Sequence, residues 1–197
     1  MTQPYTSDQI ERLGHSIIYL AERIPNLSKT KLLKLLFLVE ETSVTKYGLP
    51  FSNMPFEVWQ HGPVQKDVFI DLTNGANAFL DKYISAVKNK LGSEVIITPK
   101  IPFSDDEFSD KDMGILALVV EKYRKRTAAQ LIKLTHKKES LWYQQAETHG
   151  LLEAFEKGLT TSDVQIEFID SISEDPKKQQ MYLDQQEYMA ASASLKA

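Results

Sequence analysis

The chain has 197 residues, 42% of them hydrophobic and 25% charged, with a formal net charge of -4 and no cysteine. This apolar content, with nine Phe, eight Tyr and two Trp, is enough to offset the entropy of ordering a chain and excludes wholesale disorder. The lack of cysteine excludes disulfide scaffolds, thiolate zinc sites, iron–sulfur clusters and cysteine nucleophiles. The amino-terminal MTQPYTSDQIER has neither the basic nor the apolar region of a secretion signal. The longest charge-free apolar run, Ile115 to Val120, falls far short of the roughly 20 residues that span a bilayer. A cytoplasmic protein without a membrane partner is expected.

Thr6 and Gln9 have capping-box spacing, and Ile10, Leu13, Ile17, Leu20 and Ile24 recur at helical period until Pro25, which predicts a helix over 8–24. Ser28 caps a second, in which Leu32, Leu35, Leu36 and Val39 make a stripe broadened by Leu33 and Phe37, and Gly48 supplies the stop. So broad a stripe predicts a central, mostly buried helix. Phe56 to Gln60 reads as a short strand. Pro63 suits the first turn of a third helix that carries Val64, Val68 and Leu72 inward and closes at Gly75. Phe79, Tyr83 and Val87 suggest a helix over 76–90, and Glu94 to Thr98 a second strand, which is expected to pair with the first. Ser109 caps a helix to Arg124 with Ile115, Leu118 and Val119 inward. Thr127 caps one to Leu134, and Ser140 another through Thr148 to Gly150. Thr161 or Ser162 is read as capping a helix to Ile172, and Asp175-Pro176 as opening the last. The fold class predicted is mainly α, a helical bundle with a small two-stranded β element.

The charge is unevenly placed. From Glu121 to Lys138, seven basic residues (Lys122, Arg124, Lys125, Arg126, Lys133, Lys137 and Lys138) face one acid. From Ser162 onward seven acids face three lysines. A basic segment inside an acidic chain predicts a partner surface for an acidic protein face, although a solvated helix face would account for some of it. No Walker loop, GxGxxG, GxSxG or HExxH is present, and the four histidines lack close paired spacing. No catalytic residue, metal site or cofactor is therefore expected.

Two strings stand out. Trp59-Gln60-His61-Gly62-Pro63-Val64 joins an aromatic strand to a proline through a glycine. Leu134 to Trp142 runs from one helix end, through a basic connection, into a helix whose early Trp should pack inward. With Lys31-Leu32-Leu33-Lys34-Leu35-Leu36-Phe37 and Lys46-Tyr47-Gly48-Leu49-Pro50-Phe51, and in this order, they resemble the Panacea, or SocA-like, antitoxin domain of prophage-associated and toxin-antitoxin proteins. Val58 departs from the small residue common there, and Leu141 from a frequent proline. The likeness runs from about Leu13 to Leu152, with a poorly matched insert from Asn74 to Ser109. It implies a domain over residues 1–160 and a helical extension over 161–197. It also implies a non-catalytic antitoxin that binds its cognate toxin directly, some relatives passing the toxin to a protease. Trp59, His61, Gly62, Pro63, Val64, Thr135, His136 and Trp142 would then be motif residues with structural roles.

The last helix offers Met181, Tyr182, Tyr188 and Met189, an apolar and aromatic set suited either to the toxin or to covering the bundle. A rival function is a helix-turn-helix DNA-binding regulator using residues 127–145. Tyr143, Gln144 and Gln145 would reach base edges, and Arg124, Lys133, Lys137 and Lys138 the phosphates. Against this, Leu141 and Trp142 open the supposed recognition helix.

Overall fold

The computed structural model describes residues 5–196. α1 (Ser7–Arg23) starts at a complete capping box between Thr6 and Gln9. α2 (Lys29–Tyr47) starts at Ser28 and stops at Gly48, whose φ of 68° is the left-handed conformation glycine adopts without strain. α2 is buried all round from Leu32 to Glu40 and touches neighbours on every side, so it forms the axis of the molecule. α3 (Lys66–Thr73), α4 (Asp110–Tyr123), α5 (Ala128–Thr135), α6 (Leu141–Thr148), α7 (Leu151–Glu156) and α8 (Pro176–Lys196) complete the helices. α4 and α5 both begin in capping boxes, from Ser109 to Asp112 and from Thr127 to Gln130. The rings of Phe37, Phe56 and Phe168 meet at 5.5–5.6 Å and tie α2 to the chain before β1 and to a 3-10 turn at Phe168–Ile172.

The protein is mainly α, as expected, but it has two small sheets rather than one. β1 (Glu57–Trp59) pairs with β2 (Gly62–Val64), and β3 (Ile84–Lys88) with β4 (Val95–Pro99), each as an antiparallel hairpin. The predicted pairing between the strands near 58 and 96 is therefore incorrect, because each finds a closer partner at lower loop-closure cost. Pro63 lies in β2 and not in a helix. Val58, opposite it, gives its N–H to Val164 O on the other side of β1, so Val58 and Pro63 form a non-hydrogen-bonded pair in which a missing N–H leaves no gap. The predicted helix over 76–90 is replaced by turns and β3. There the Asp71 carboxylate accepts the N–H groups of Ala78 and Leu80 and closes the chain on itself. Residues 162–166 are not helical either: Ile166 N–H reaches Phe56 O, and Ser162 Oγ donates to Val58 O, so this stretch runs along the outer edge of β1. In α4, Leu116 and Val120 are buried where Leu118 was expected to be; Leu118 is 37% exposed.

The β1–β2 turn is held by side chains from three helices. Lys34 Nζ of α2 donates to Pro63 O (2.8 Å), His136 Nε2 at the end of α5 lies 2.9 Å from Gln60 O, and Trp142 Nε1 of α6 donates to Trp59 O (3.1 Å). Gly62, with φ of 97°, closes the two-residue turn, and a Cβ there would lie 2.9 Å from Thr135 Oγ1 and 3.0 Å from Lys34 Cε. Glycine is thus required twice, for its backbone conformation and for close approach. Val64 is buried, and His61 is exposed at the tip.

Trp142 is the core tryptophan, 2% exposed, against His136 and Phe155. Trp59 is only half-buried; its Nε1–H reaches Glu57 Oε2 (2.8 Å), and its ring meets Phe69 edge-on. Trp142→Ala is therefore expected to lower stability by about 3–5 kcal/mol, and Trp59→Ala by clearly less. Denaturant unfolding of both variants measures this, and equal losses would contradict the assignment.

Lys34 is buried without a carboxylate partner among the described residues, and burial pulls its amine down to about 7. Between that value and its ordinary 10.5 the unfolded chain binds a proton that the folded chain does not. Stability from this group is therefore complete above the ordinary value and is lost as pH falls toward 7. Relative to Lys34→Met, the wild type is expected to gain up to about 1.4 kcal/mol per pH unit between about pH 7.5 and 9.5. Parallel stability curves for the two proteins would show that Lys34 remains charged in the fold.

Candidate functional site

The basic segment is built from two helix ends and the turns that follow them. α4 buries Tyr123 and then turns sharply, so Arg124, Lys125 and Arg126 project into solvent before Thr127 opens α5. Lys122 and Lys133 stand in the last turns of α4 and α5, where a cation faces the negative end of the helix dipole. Lys137 and Lys138 occupy the connection to α6. All seven cations are exposed, and none forms a salt bridge among the described residues. Lys31 adds an eighth cation at this end by donating to Arg124 O (2.7 Å).

Four of these side chains converge. Lys122, Arg126, Lys133 and Lys137 line a cleft of about 460 Å³ floored by Tyr123, Leu131 and Leu134. Arg124, Lys125 and Lys138 lie outside its lining. An apolar floor with a cationic rim can seat an apolar anchor flanked by carboxylates, since the floor removes the anchor from water and the rim pairs its flanks.

The second predicted set is divided by the way α8 docks. Lys178 lies against Gly48 and donates to Thr45 O (2.7 Å), and Gln186 bonds to Asn53. Met181, Tyr182 and Met189 are half-buried, while Tyr188 is 67% exposed. Burial pushes the Tyr182 phenol up to about 12, with the nearby Glu40 carboxyl acting in the same direction. Tyr188 and Met189 border a cleft of about 650 Å³ between α8, the start of α1 and residues 50–53. Its wall includes Arg12, which stacks on Phe51 and bonds to Asp112 at 2.6 Å.

Glu40 was not anticipated. It is fully buried on α2 and accepts from Phe51 N–H (2.9 Å), Ser52 N–H (2.8 Å) and Ser52 Oγ (2.8 Å), fixing the loop beneath that cleft. Burial raises its carboxyl above the usual range, against the pull of these donors. Two adjacent glutamates following the broad apolar stripe of α2 were the only sign of it in the sequence.

The helix-turn-helix reading loses a central residue. Gln145 is buried, donating to Glu167 O and Asp170 Oδ2 and accepting from Glu167 N–H, so it cannot reach a base edge in this fold. Leu141 and Trp142 face the core, and of the three supposed base-reading residues Gln144 is exposed, Tyr143 half-buried and Gln145 buried. Among the described residues no group of three or more His, Asp or Glu could hold a metal ion, and no helix is long and apolar enough to cross a membrane.

No curated protein and no solved structure matches the chain. A family model described as antitoxin SocA-like, Panacea domain, matches residues 32–143. That span holds the buried axis α2, the clamped β1–β2 hairpin, the basic cleft and Trp142, and it is more than half of the sequence: the chain belongs to the SocA-like Panacea antitoxin family.

Proposed function

We propose that this protein is a non-catalytic antitoxin of a toxin-antitoxin pair, which neutralises a cognate toxin by binding it directly. The observation that carries this reading is the cleft at the end of α4 and α5. Four cations that form no salt bridge among the described residues surround an apolar floor in a chain of an antitoxin family. Holding like charges together is unfavourable for the free protein and favourable once an acidic face neutralises them. The exposed side of α8, in the 161–197 extension that the family match does not reach, supplies a second contact that adjusts the shared domain to one toxin. Leu183 and Tyr188 are exposed on a helix already anchored at Lys178, Tyr182 and Gln186, so they offer contact area at little ordering cost.

Replacing Arg126, Lys133 and Lys137 together by Glu is expected to slow toxin association at least about tenfold at low salt, with the difference shrinking as salt rises. The toxin is sought in the neighbouring reading frame, and association is followed by surface plasmon resonance. Unchanged toxin binding, together with loss of a salt-dependent DNA gel shift, would favour the DNA-binding alternative.

Tyr188→Ala removes only an exposed ring. It is expected to leave the melting curve unchanged and to weaken toxin binding by about 1–2 kcal/mol, roughly 5- to 30-fold in affinity. Unaltered affinity on calorimetric titration would confine α8 to covering the bundle.

A further inference from the structure

Beside the basic cleft, and sharing Tyr123, Leu134 and Lys137 with it, lies a smaller cavity of about 240 Å³ between α2, α5 and the connection to α6. Phe37, Leu38, Tyr123 and Leu134 give it apolar walls, and its charged groups are Glu41 of α2, Lys137 and Glu139. Glu41 is half-buried, and its carboxylate makes no hydrogen bond or salt bridge among the described residues. Lys122 is near enough to attract it electrostatically without pairing. This contrasts with Glu40, the adjacent residue, whose oxygens accept three hydrogen bonds.

A carboxylate partly withdrawn from water and left unpaired destabilises the free protein. Burial pushes Glu41 up to about 7, which is the signature of that cost. The cavity is smaller than the roughly 300–1,000 Å³ of small-molecule sites, so its size suits one inserted side chain. The two cavities adjoin at Tyr123, Leu134 and Lys137 and make a groove of mixed polarity, with cations around Tyr123 and Leu131 at one end and Glu41 and Glu139, beside Lys137, at the other.

We propose that this groove takes a short amphipathic segment of the toxin, with acidic residues over Arg126 and Lys133, an apolar residue on Leu134, and a lysine or arginine inserted beside Glu41. The proposal rests on the toxin-binding reading and adds the order of charges along the bound segment. An incoming cation pairs a half-buried carboxylate that has no donor among the described residues, and the acids pair exposed cations that form no salt bridge there. Such two-signed complementarity selects one direction of the segment and disfavours its reverse.

The test uses a displayed library of random dodecapeptides, selected on the full-length protein and re-screened on Glu41→Gln and Glu41→Lys. Selected peptides are expected to carry acids and a basic residue separated by an apolar one. They are expected to lose at least about tenfold in affinity on Glu41→Gln and to be rejected by Glu41→Lys. Selection on Glu41→Lys should instead return an acid at the formerly basic position. Glu41→Gln is expected to melt no lower than the wild type, since it removes an unpaired carboxylate; a lower melting point would make Glu41 a structural residue and overturn the proposal. Peptides that bind Glu41→Gln as well as the wild type, peptides without the charge order, or an empty selection would each overturn it as well. Growth rescue by the wild-type protein against its toxin is scored separately. Rescue with a failed selection rejects the groove alone, and absence of rescue rejects the toxin-binding reading.

Discussion

A two-residue turn joining three-residue strands is too small to hold itself in place; the carbonyls of Gln60 and Pro63 have no partner in the ladder, and that of Trp59, which faces Gly62, takes a second donor. Each is satisfied by a side chain from a different helix: Trp142, His136 and Lys34. A buried carbonyl without a donor costs about 1–3 kcal/mol, so the turn fixes α2, α5 and α6 relative to one another as firmly as they fix the turn. Gly62 makes the arrangement possible by letting Thr135 and the Lys34 stem approach the backbone. Because α5 and the connection to α6 are held here, so is the rim of the basic cleft.

The same economy of contact appears in α2, whose buried surface includes two charged residues that act as connectors. Lys34 donates to Pro63, and six residues later Glu40 accepts from Phe51 and Ser52. Neither is paired with an opposite charge; each binds loop backbone, where hydrogen bonding repays part of the desolvation. A helix buried on all faces gains little from amphipathic patterning, and the two groups instead specify which loop packs on which side. Glu41, one position on, turns toward the cavity beside Tyr123 and has no such donor, which makes it the exception along this helix.

The parts legible in the sequence were those encoded by neighbours. Capping at Thr6, Ser28, Ser109, Thr127 and Ser140 is a contact over three residues, and all five appear where expected. The errors were long-range. Nothing near Ser162 announces that its hydroxyl will reach Val58 O, or that residues 162–166 will lie along β1. Pro63 obeys a local rule for helix starts, and only the bond from Val58 to Val164, 106 residues apart, shows why a strand accepts it. Phe79, Tyr83 and Val87 match helical spacing, yet Asp71 captures the chain at Ala78 and Leu80 before a helix can form. Of the site, the density of cations was visible, but their convergence on Tyr123 and Leu134 was not, because it depends on the angle between α4 and α5.

Trp142, His136, Thr135, Gly62 and Pro63 face one another, so their side chains and carbonyls are engaged before any partner arrives. His61 is exposed, but it sits on the turn and not in the cleft. A string within the span that matches the family therefore specifies a joint, and a change in it acts first on the placement of α5. The residues free of such duties are cations at helix ends, where the dipole already favours them, a half-buried carboxylate without a donor among the described residues, and the outer face of a terminal helix. Those positions can change charge or size without disturbing the clamp, so one joint can support surfaces of different charge and shape.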